Sequence, residues 1–560
     1  MSMEIRQEEL SDLPLIAHFI QSSGLPEVID RHYSVHGNWR APSFGKMVMG
    51  WLLYMISECD HRLYTVQDWA AKHSGFLGHL LGCDDFSGHC FHDDRLGLIL
   101  EHLSDSDRFA EFMADYNERL LTLYELPKSV VRVDSFNVPS YREEKEGGLF
   151  RHGYKKSHQA DEPHMKVMAA CLDPLAMPLA VLCAPGSVSD DELYFPVIER
   201  ARQSLNRKGL LYVGDTKLGS AFVCGNLAEA GDFYLSPLSH ASLPKGCYPE
   251  YVKAANGASP QTAQMLYKPG RDGEKILTDR IVELPAIRRE RSEGGFSWME
   301  RRIMAYSFPY AKAQEKQLRD KVTKAKKEVE DRFAPKKHGK KWRIGQEDKA
   351  RAFIDEVSAR YGVGSFLRIA LLTPAKQPKK QPLGVLVEVD EAAIGQKLET
   401  MGWRLYITNV PAQTMEASEI LACYRNEYLI EHQFHKILTK TTGLLPINLK
   451  NDNRCVALVN LVILALQFIS VIQHRARINL KQTRQPLTDV VPGNKSKKVD
   501  QPTAELMLKR FKSVNVVWVR MADGSVTIKL INFQTVHAQI LKITGCPDDL
   551  YMLYAKNCFP

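Results

Sequence analysis

The stretch that decides the fold is Ser129–Asn137, which reads Ser-Val-Val-Arg-Val-Asp-Ser-Phe-Asn. Its β-branched valines suit a pleated, largely buried surface, so we expect a core strand here. Asp134 lies near the end of that run, where burying a carboxylate costs free energy unless a cation or hydrogen-bond donors meet it. We predict that Asp134 is the first of three carboxylates that hold metal ions. An aspartate that merely starts a turn is the alternative if the residue stands alone.

A second aspartate ends a second predicted strand. In Gly209–Leu218, Asp215 follows the run Leu-Leu-Tyr-Val-Gly. Strand-like runs at 165–172 and 178–184 and a helical run at 190–205 precede it, so the order predicts an α/β layer. Two strands that present an aspartate at corresponding ends provide what a metal site at a sheet edge requires.

Length and charge set wide limits. A chain of 560 residues is too long for one core, so we expect about two to four domains. The net charge of +8 favours a polyanionic partner without establishing one. The 11 cysteines are scattered, which fits reduced thiols inside a cell, and no signal peptide is visible at the N-terminus.

One apolar run, Cys455–Gln473, approaches the roughly 20 residues that a membrane span needs. Asn460, Gln467 and Ser470 interrupt it. We therefore predict a buried core helix and no membrane association.

The pattern of elements predicts five segments. Residues 1–125 read as a helical module with a possible role in DNA binding. A first α/β part follows at 126–240, then an insertion with strands and a basic helix at 241–410, and then helices at 411–480. The last segment, 481–560, is a small α+β extension with a predicted hairpin at Asp523-Gly524. The stretch Cys83–His92 does not have the ligand spacing of a zinc site, so we interpret it as a loop that leads into a helix.

Two basic segments are candidates for phosphate contacts. Lys155 and Lys156 lie in the Gly- and His-rich stretch 153–158. A second group flanks Trp342: Lys336, Lys337, Lys340, Lys341 and Arg343. A solvated basic face is the alternative interpretation of both.

Residues 416–440 read as one helix. At 3.6 residues per turn, Tyr424, Glu427, Glu431 and Leu438 fall on one stripe. A carboxylate on that stripe can face the edge that carries Asp134, although exposed helix charges are the usual fate of glutamates.

The order Asp134, Asp215 and Glu431, with a long insertion before the glutamate, resembles bacterial insertion-sequence transposases of the DDE type. It is most similar to the insertion-sequence-four superfamily, whose glutamate motif is Tyr-x₂-Arg-x₃-Glu-x₆-Lys. Tyr424 and Glu431 match that motif, whereas Glu427 and Leu438 stand where the family has its arginine and lysine.

The resemblance implies an α/β fold: a ribonuclease-H-like catalytic core interrupted by the insertion, with a helical N-terminal domain. It implies that the chain cuts the ends of an insertion sequence and joins their 3′-hydroxyls to target DNA by two-metal phosphoryl transfer. Mg²⁺, with Mn²⁺ as the alternative, would be held by Asp134, Asp215 and Glu431. Tyr424, together with the neighbouring Arg425 and Lys436, would contact DNA.

The same resemblance implies double-stranded DNA partners, both terminal inverted repeats and target, a homodimer on DNA, and a place at the nucleoid in the bacterial cytoplasm. Two other functions stay open. One is a catalytically inactive, transposase-derived DNA-binding protein, which the departures at Glu427 and Leu438 favour. The other is a metal-dependent nuclease without strand transfer.

Overall fold

The protein divides into two compact units. The first comprises Met1–Tyr234 and Arg425–Pro560, and the second comprises Leu235–Tyr424. The computed structural model describes residues 3–39, 42–153, 162–270, 274–291, 295–334, 346–372, 383–436, 438 and 443–558. The five-segment division is finer than these two units and stays a prediction.

The first unit begins with a short strand and continues with helices, as the apolar spacing predicts. The elements are β1 (Glu4–Glu9), α1 (Leu13–Ser23), α2 (Leu25–His32), α3 (Phe44–Glu58), α4 (Leu63–Lys72), α5 (Ser74–Leu81), α6 (Asp93–Leu103) and α7 (Ser106–Leu123). Asp105 caps α7, because its carboxylate accepts hydrogen bonds from the backbone of Asp107 and Arg108, both at 3.1 Å. The stretch 83–92 is a loop with a short 3₁₀ turn that runs into α6, as predicted.

A mixed sheet follows in the same unit. Its strands and flanking helices are β2 (Val130–Pro139), β3 (His164–Leu172), β4 (Met177–Pro185), α8 (Asp190–Leu205), β5 (Leu211–Gly214) and α9 (Ala221–Glu229). The strand order is β4-β3-β2-β5. Strand β3 is antiparallel to both β2 and β4, whereas β5 runs parallel to β2. Val131 and Val133 of β2 are buried, which confirms the predicted core strand.

The main strands of the second unit pair antiparallel with one another. Strand β6 (Phe233–Leu238) starts in the first unit, where Phe233 N donates to Leu210 O over 2.8 Å, and continues into the second. The elements that follow are α10 (Cys247–Asn256), β7 (Ala263–Pro269), β8 (Lys275–Glu290), β9 (Ser297–Ser307), α11 (Phe308–Phe333), α12 (Glu347–Tyr361), β10 (Leu367–Leu372), β11 (Gly384–Val389), α13 (Glu391–Thr400), β12 (Trp403–Thr408) and α14 (Ala417–Arg425). Its main strands have the order β6-β12-β9-β8-β7. Helices α11 and α12 pack with the β10–β11 hairpin around Val322, Val357 and Val387.

The chain then returns to the first unit. The last elements are α15 (Tyr428–His435), α16 (Asp452–Thr483), α17 (Ala504–Leu508), β13 (Asn515–Arg520), β14 (Val526–Ile531), α18 (Thr535–Thr544) and α19 (Leu550–Asn557). Strands β13 and β14 form the predicted hairpin, and β13 also pairs antiparallel with β1. The carboxy-terminal extension is therefore joined to the amino-terminal helices through a shared sheet. An ion pair stabilises this connection: Lys512 Nζ lies 3.3 Å from Oδ1 of the buried Asp12.

Helix α16 is long and apolar enough to cross a membrane, but 94% of its most apolar window is buried inside the fold. Two of the polar residues that interrupt it are paired with other elements. Asn460 Nδ2 donates to Leu103 O over 2.9 Å, and Gln467 Nε2 donates to Asn117 Oδ1 and Pro178 O, both over 2.7 Å. Such pairing offsets the cost of burying an amide. The prediction of a buried core helix is confirmed.

Candidate active site

Asp134 and Asp215 lie where the parallel ladder between β2 and β5 ends. Val133 is paired with Gly214 in that ladder. Asp134 and Asp215 directly follow the two members of this last pair. Both side chains are half-buried. The structure therefore brings the two predicted aspartates to the same edge of the sheet.

Tyr194 of α8 links these two strand ends. Its hydroxyl donates to Asp215 Oδ1 over 2.7 Å and lies 3.4 Å from Val133 O. Burial, and then the charges of Asp215 and Asp134, raise the pKa of Tyr194 well above its ordinary value. The phenol therefore stays protonated and serves as a hydrogen-bond donor to the carboxylate. Lys217 N donates to the same Oδ1 over 2.9 Å, so two donors orient Asp215.

Gly214 leaves the space that Tyr194 needs. A Cβ atom on residue 214 would lie 3.0 Å from both Leu218 Cβ and Val133 O, and 3.2 Å from Cε1 of Tyr194. These distances are shorter than ordinary van der Waals contacts. Glycine therefore allows the strand, the tyrosine ring and the turn after Asp215 to approach one another closely.

Glu431 lies on a helix that packs against the strand of Asp134. Alternate residues of a strand face the same side, so Phe136 shares a face with Asp134. The ring centroid of Phe136 is 4.6 Å from that of Phe434 on α15. Glu431 precedes Phe434 by three residues, about one helical turn, and so stands on the same side of α15. Its own side chain is exposed.

Asp134, Asp215 and Glu431 do not form a tight cluster of carboxylates. In the part of the chain that the structure describes, one group of three potential ligands has atoms within 4.8 Å of one another, and it comprises His92, Asp93 and Asp94. That group lies at the start of α6, and its two aspartates are exposed. The spacing of Asp134, Asp215 and Glu431 is therefore wider than that.

The single helix predicted over 416–440 is wrong. Helix α14 ends at Arg425, a turn follows, and α15 begins at Tyr428. Asparagine is a weak helix former, because its side chain competes for backbone groups. At Asn426 the i→i+4 ladder gives way to an i→i+3 bond, in which Leu429 N donates to Asn426 O over 3.0 Å. The stripe that joined Tyr424 to Glu431 therefore does not exist as one helical face.

The predicted DNA contacts are spread over both units. Tyr424 is buried in the second unit, with its ring 4.8 Å from that of Tyr406. Arg425 is exposed, and Lys436 is 2.9 Å from Glu505 Oε1 in an ion pair. The remaining predicted contacts lie outside the described residues: Lys155, Lys156, Lys336, Lys337, Lys340, Lys341 and Arg343.

Sequence reasoning did not identify Tyr194 or Gly214. Tyr194 belongs to an apolar run at the start of α8, and no spacing relates it to a residue 21 positions away. The glycine directly before Asp215 was the one available signal, since a glycine in a strand often marks a close approach of other atoms.

A family model described as "Transposase DDE domain" matches residues 125–468, more than half of the chain. No curated protein matches the sequence. One similar solved structure is the cryo-EM structure of the piggyBac transposase synaptic complex with hairpin DNA. The two sequences are 8% identical, the superposition covers 81% of this chain and 80% of that chain, and the TM-score is 0.24. At that TM-score the likeness does not define the fold. The match over residues 125–468 shows that the chain belongs to the transposase DDE domain family and is a DDE-type DNA transposase.

Proposed function

We propose that this transposase cuts the ends of its mobile element and joins the freed 3′-hydroxyls to target DNA by phosphoryl transfer at Asp134, Asp215 and Glu431. The observation that carries the proposal is the register of β2 and β5, in which Val133 is paired with Gly214 and an aspartate follows each. The strand order β4-β3-β2-β5, with only β5 parallel to β2, supports a ribonuclease-H-like core.

Divalent metal ions are required by DDE transposases, and the donor set fits such an ion. Mg²⁺ prefers hard oxygen ligands and keeps several waters, so a few carboxylates suffice to hold it, and Mn²⁺ suits the same ligands. When bound, the metal would stabilise the negative charge on the attacking and leaving oxygens. Asp134 and Asp215 offer carboxylates from two adjacent strands, and Glu431 offers a third from the helix packed on β2.

The chain's own residues restrict how Asp215 can move. The Tyr194 hydroxyl and the Lys217 amide both donate to Oδ1, so the carboxylate is held in one orientation before any ligand arrives. A preorganised ligand costs less reorganisation when a metal or a substrate binds. Glu431 is exposed and lies on α15, whose position on β2 depends on the contact between Phe434 and Phe136.

The partners follow from the reaction. The proposal requires duplex DNA that carries terminal inverted repeats, a target duplex, and two copies of the chain to hold two ends. The basic segments at 153–158 and 336–343 and the exposed Arg425 would contact phosphates, and the site of action would be the bacterial nucleoid.

The test uses duplex DNA with the repeats that flank the gene. Wild-type protein with Mg²⁺ should yield cut and joined products, while Asp215→Asn should still bind DNA and yield neither. Asp548→Asn changes an exposed aspartate outside the site and serves as the matched control. Joining by the Asp215→Asn variant at the wild-type rate would contradict the assignment.

The strongest second candidate is an inactive DNA-binding protein. Glu427 and Leu438 replace the basic residues of the motif, and the neighbouring Lys436 is paired with Glu505. The same assay separates the candidates: joined products support the transposase, cut products alone support a nuclease, and a shifted band without either supports the inactive protein.

A further inference from the structure

A basic cleft lies beside α15 in the first unit. It has a volume of about 750 Å³ and is bounded by the start of α15 on one side and by the C-terminal half of α16 on the other. Arg477, Lys481 and Arg484 line it. Arg477 and Lys481 are four residues apart and share one face of α16, and Arg484 directly follows the helix as its left-handed C-cap. Asp500 is the carboxylate in the lining, so the cleft carries excess positive charge.

These cations are available to a ligand. Arg477 Nε donates to Pro502 O over 3.1 Å, which orients its guanidinium group in the lining of the cleft. Lys481 and Arg484 are exposed. Nε2 of His474 is buried in the wall of the cleft and has no hydrogen-bond partner among the described residues.

The opposite wall supplies an aromatic face. Tyr428 is 51% exposed, although its ring is a large hydrophobic group. The ring meets that of His432 edge to face, with 5.6 Å between centroids, which limits its rotation. Tyr428 lies three residues before Glu431, a rise of about 4.5 Å along α15.

A row of cations opposite an exposed tyrosine matches the chemistry of a nucleic-acid strand. Phosphates pair with arginine and lysine, and an unstacked base packs on an aromatic ring. A cleft of this volume is of the size that holds a small ligand, and a duplex is far wider. We propose that the cleft between α15 and α16 binds a single-stranded segment of DNA, with phosphates on Lys481 and Arg484 and a base on Tyr428. The location of this cleft next to the catalytic site rests on the proposed function, in which Glu431 is a catalytic residue, whereas the binding of a single strand does not.

The test measures the binding of a labelled 20-nucleotide single strand and of the matching duplex by fluorescence anisotropy, in EDTA and over a range of salt concentrations. Lys481→Glu/Arg484→Glu should weaken binding of the single strand at least tenfold and lower the salt slope by about 1.4, which is about 0.7 for each phosphate contact. Arg207→Glu/Lys208→Glu reverses two adjacent exposed cations of the same unit and is the matched control. The control should leave the slope for the single strand unchanged.

The aromatic wall is tested separately. Tyr428→Leu should weaken binding of the single strand about fivefold or more with an unchanged salt slope, whereas Tyr428→Phe should keep the affinity. Equal losses for single strand and duplex in the charge-reversal variant would overturn the assignment to a single strand. A wild-type salt slope in that variant would overturn the cleft as a phosphate site, and competition by inorganic phosphate alone at low concentration would indicate an anion site that does not read DNA.

The outcome is separable from that of the proposed function. Because the measurement contains no metal, Asp215→Asn should bind the single strand as the wild type does. If that variant still joins DNA, the catalytic assignment fails while the cleft stands. If the charge-reversal variant binds normally, the cleft fails while the catalytic assignment stands. Thermal unfolding of each variant controls for loss of structure.

Discussion

Replacing Tyr194 with phenylalanine tests how the site is built, because it removes one oxygen atom and keeps the ring. That oxygen donates the 2.7 Å hydrogen bond to Asp215 Oδ1. A hydrogen bond to a charged group contributes about 1.5–3 kcal/mol, and loss of a residue that orients a metal ligand typically costs about 10- to 100-fold in metal affinity or activity. Because Lys217 N still donates to the same oxygen, we expect the lower end of that range.

The assay follows DNA cleavage as a function of Mg²⁺ concentration. For Tyr194→Phe we expect the Mg²⁺ concentration at half-maximal rate to rise about tenfold. The rate at saturating Mg²⁺ should fall less, because the metal itself can reorder Asp215 once it is bound. A structural role alone would lower the folded fraction at every Mg²⁺ concentration and would leave the midpoint in place.

Tyr212→Phe is the matched control for this experiment. Tyr212 is also fully buried and lies on β5, three residues before Asp215. Burial, and then the charge of Asp232, raise the pKa of its phenol, so its hydroxyl belongs to a different electrostatic environment. The control should lose stability without a shift of the Mg²⁺ midpoint. If Tyr194→Phe and wild type share one midpoint, the idea that Tyr194 positions a metal ligand is refuted.

Three further predictions concern packing, charge and pH. Phe434→Ala should lower the free energy of unfolding by about 3–5 kcal/mol, the usual cost of truncating a well-packed core phenylalanine, as measured by denaturation. It should also abolish joining of DNA, as measured by product analysis, because it releases the helix that carries Glu431. Phe434→Leu should retain part of the stability and part of the joining. Lys512→Met should lower the free energy of unfolding by about 3 kcal/mol in chemical denaturation, because it leaves the buried carboxylate of Asp12 without its cation. Burial lowers the pKa of His73 below 6.5. As the pH falls, the unfolded chain therefore binds a proton at His73 before the folded chain does. The contribution of neutral His73 to the stability of the fold is full above about pH 6.5 and is lost as the pH falls below that value. His73→Gln should therefore flatten the fall of the melting temperature between pH 7.5 and 5.5, and an unchanged slope would count against this explanation.

The two aspartates could be predicted because their signal is local. Each directly follows an apolar run that forms a strand. Asp215 follows the last residue of β5, whereas β2 continues past Asp134 and only its pairing with β5 stops there. Nothing in the residues themselves indicates that the two strands are adjacent and in register, because register is determined by pairing across 81 positions. The family order of the carboxylates supplied that information, and the pairing of Val133 with Gly214 agrees with it.

The glutamate was harder to place for a related reason. The periodicity of 416–440 is that of one helix, because apolar residues recur at three- and four-residue spacing on both sides of Asn426. Periodicity reports which side of a helix is buried but not what that side packs against. Tyr424 packs against Tyr406 and Phe434 packs against Phe136, so the two halves of the segment belong to different hydrophobic cores. A weak helix former at Asn426 is enough to break the helix once the two halves have different packing partners.

The first strand had no local signal at all. Glu4–Glu9 contains one apolar residue, Ile5, and its side chains are mostly exposed, so no alternation predicts a strand there. The strand forms because β13 has backbone donors and acceptors along both of its edges, and β14 pairs with only one of these edges. The other side of β13 takes up β1, from more than 500 positions earlier in the chain. The Asp12–Lys512 pair then fixes this join at a buried position, where breaking it leaves a charge uncompensated. The carboxy-terminal 80 residues are for this reason part of the fold of the amino-terminal module, and their removal is expected to act on that module before it acts on catalysis.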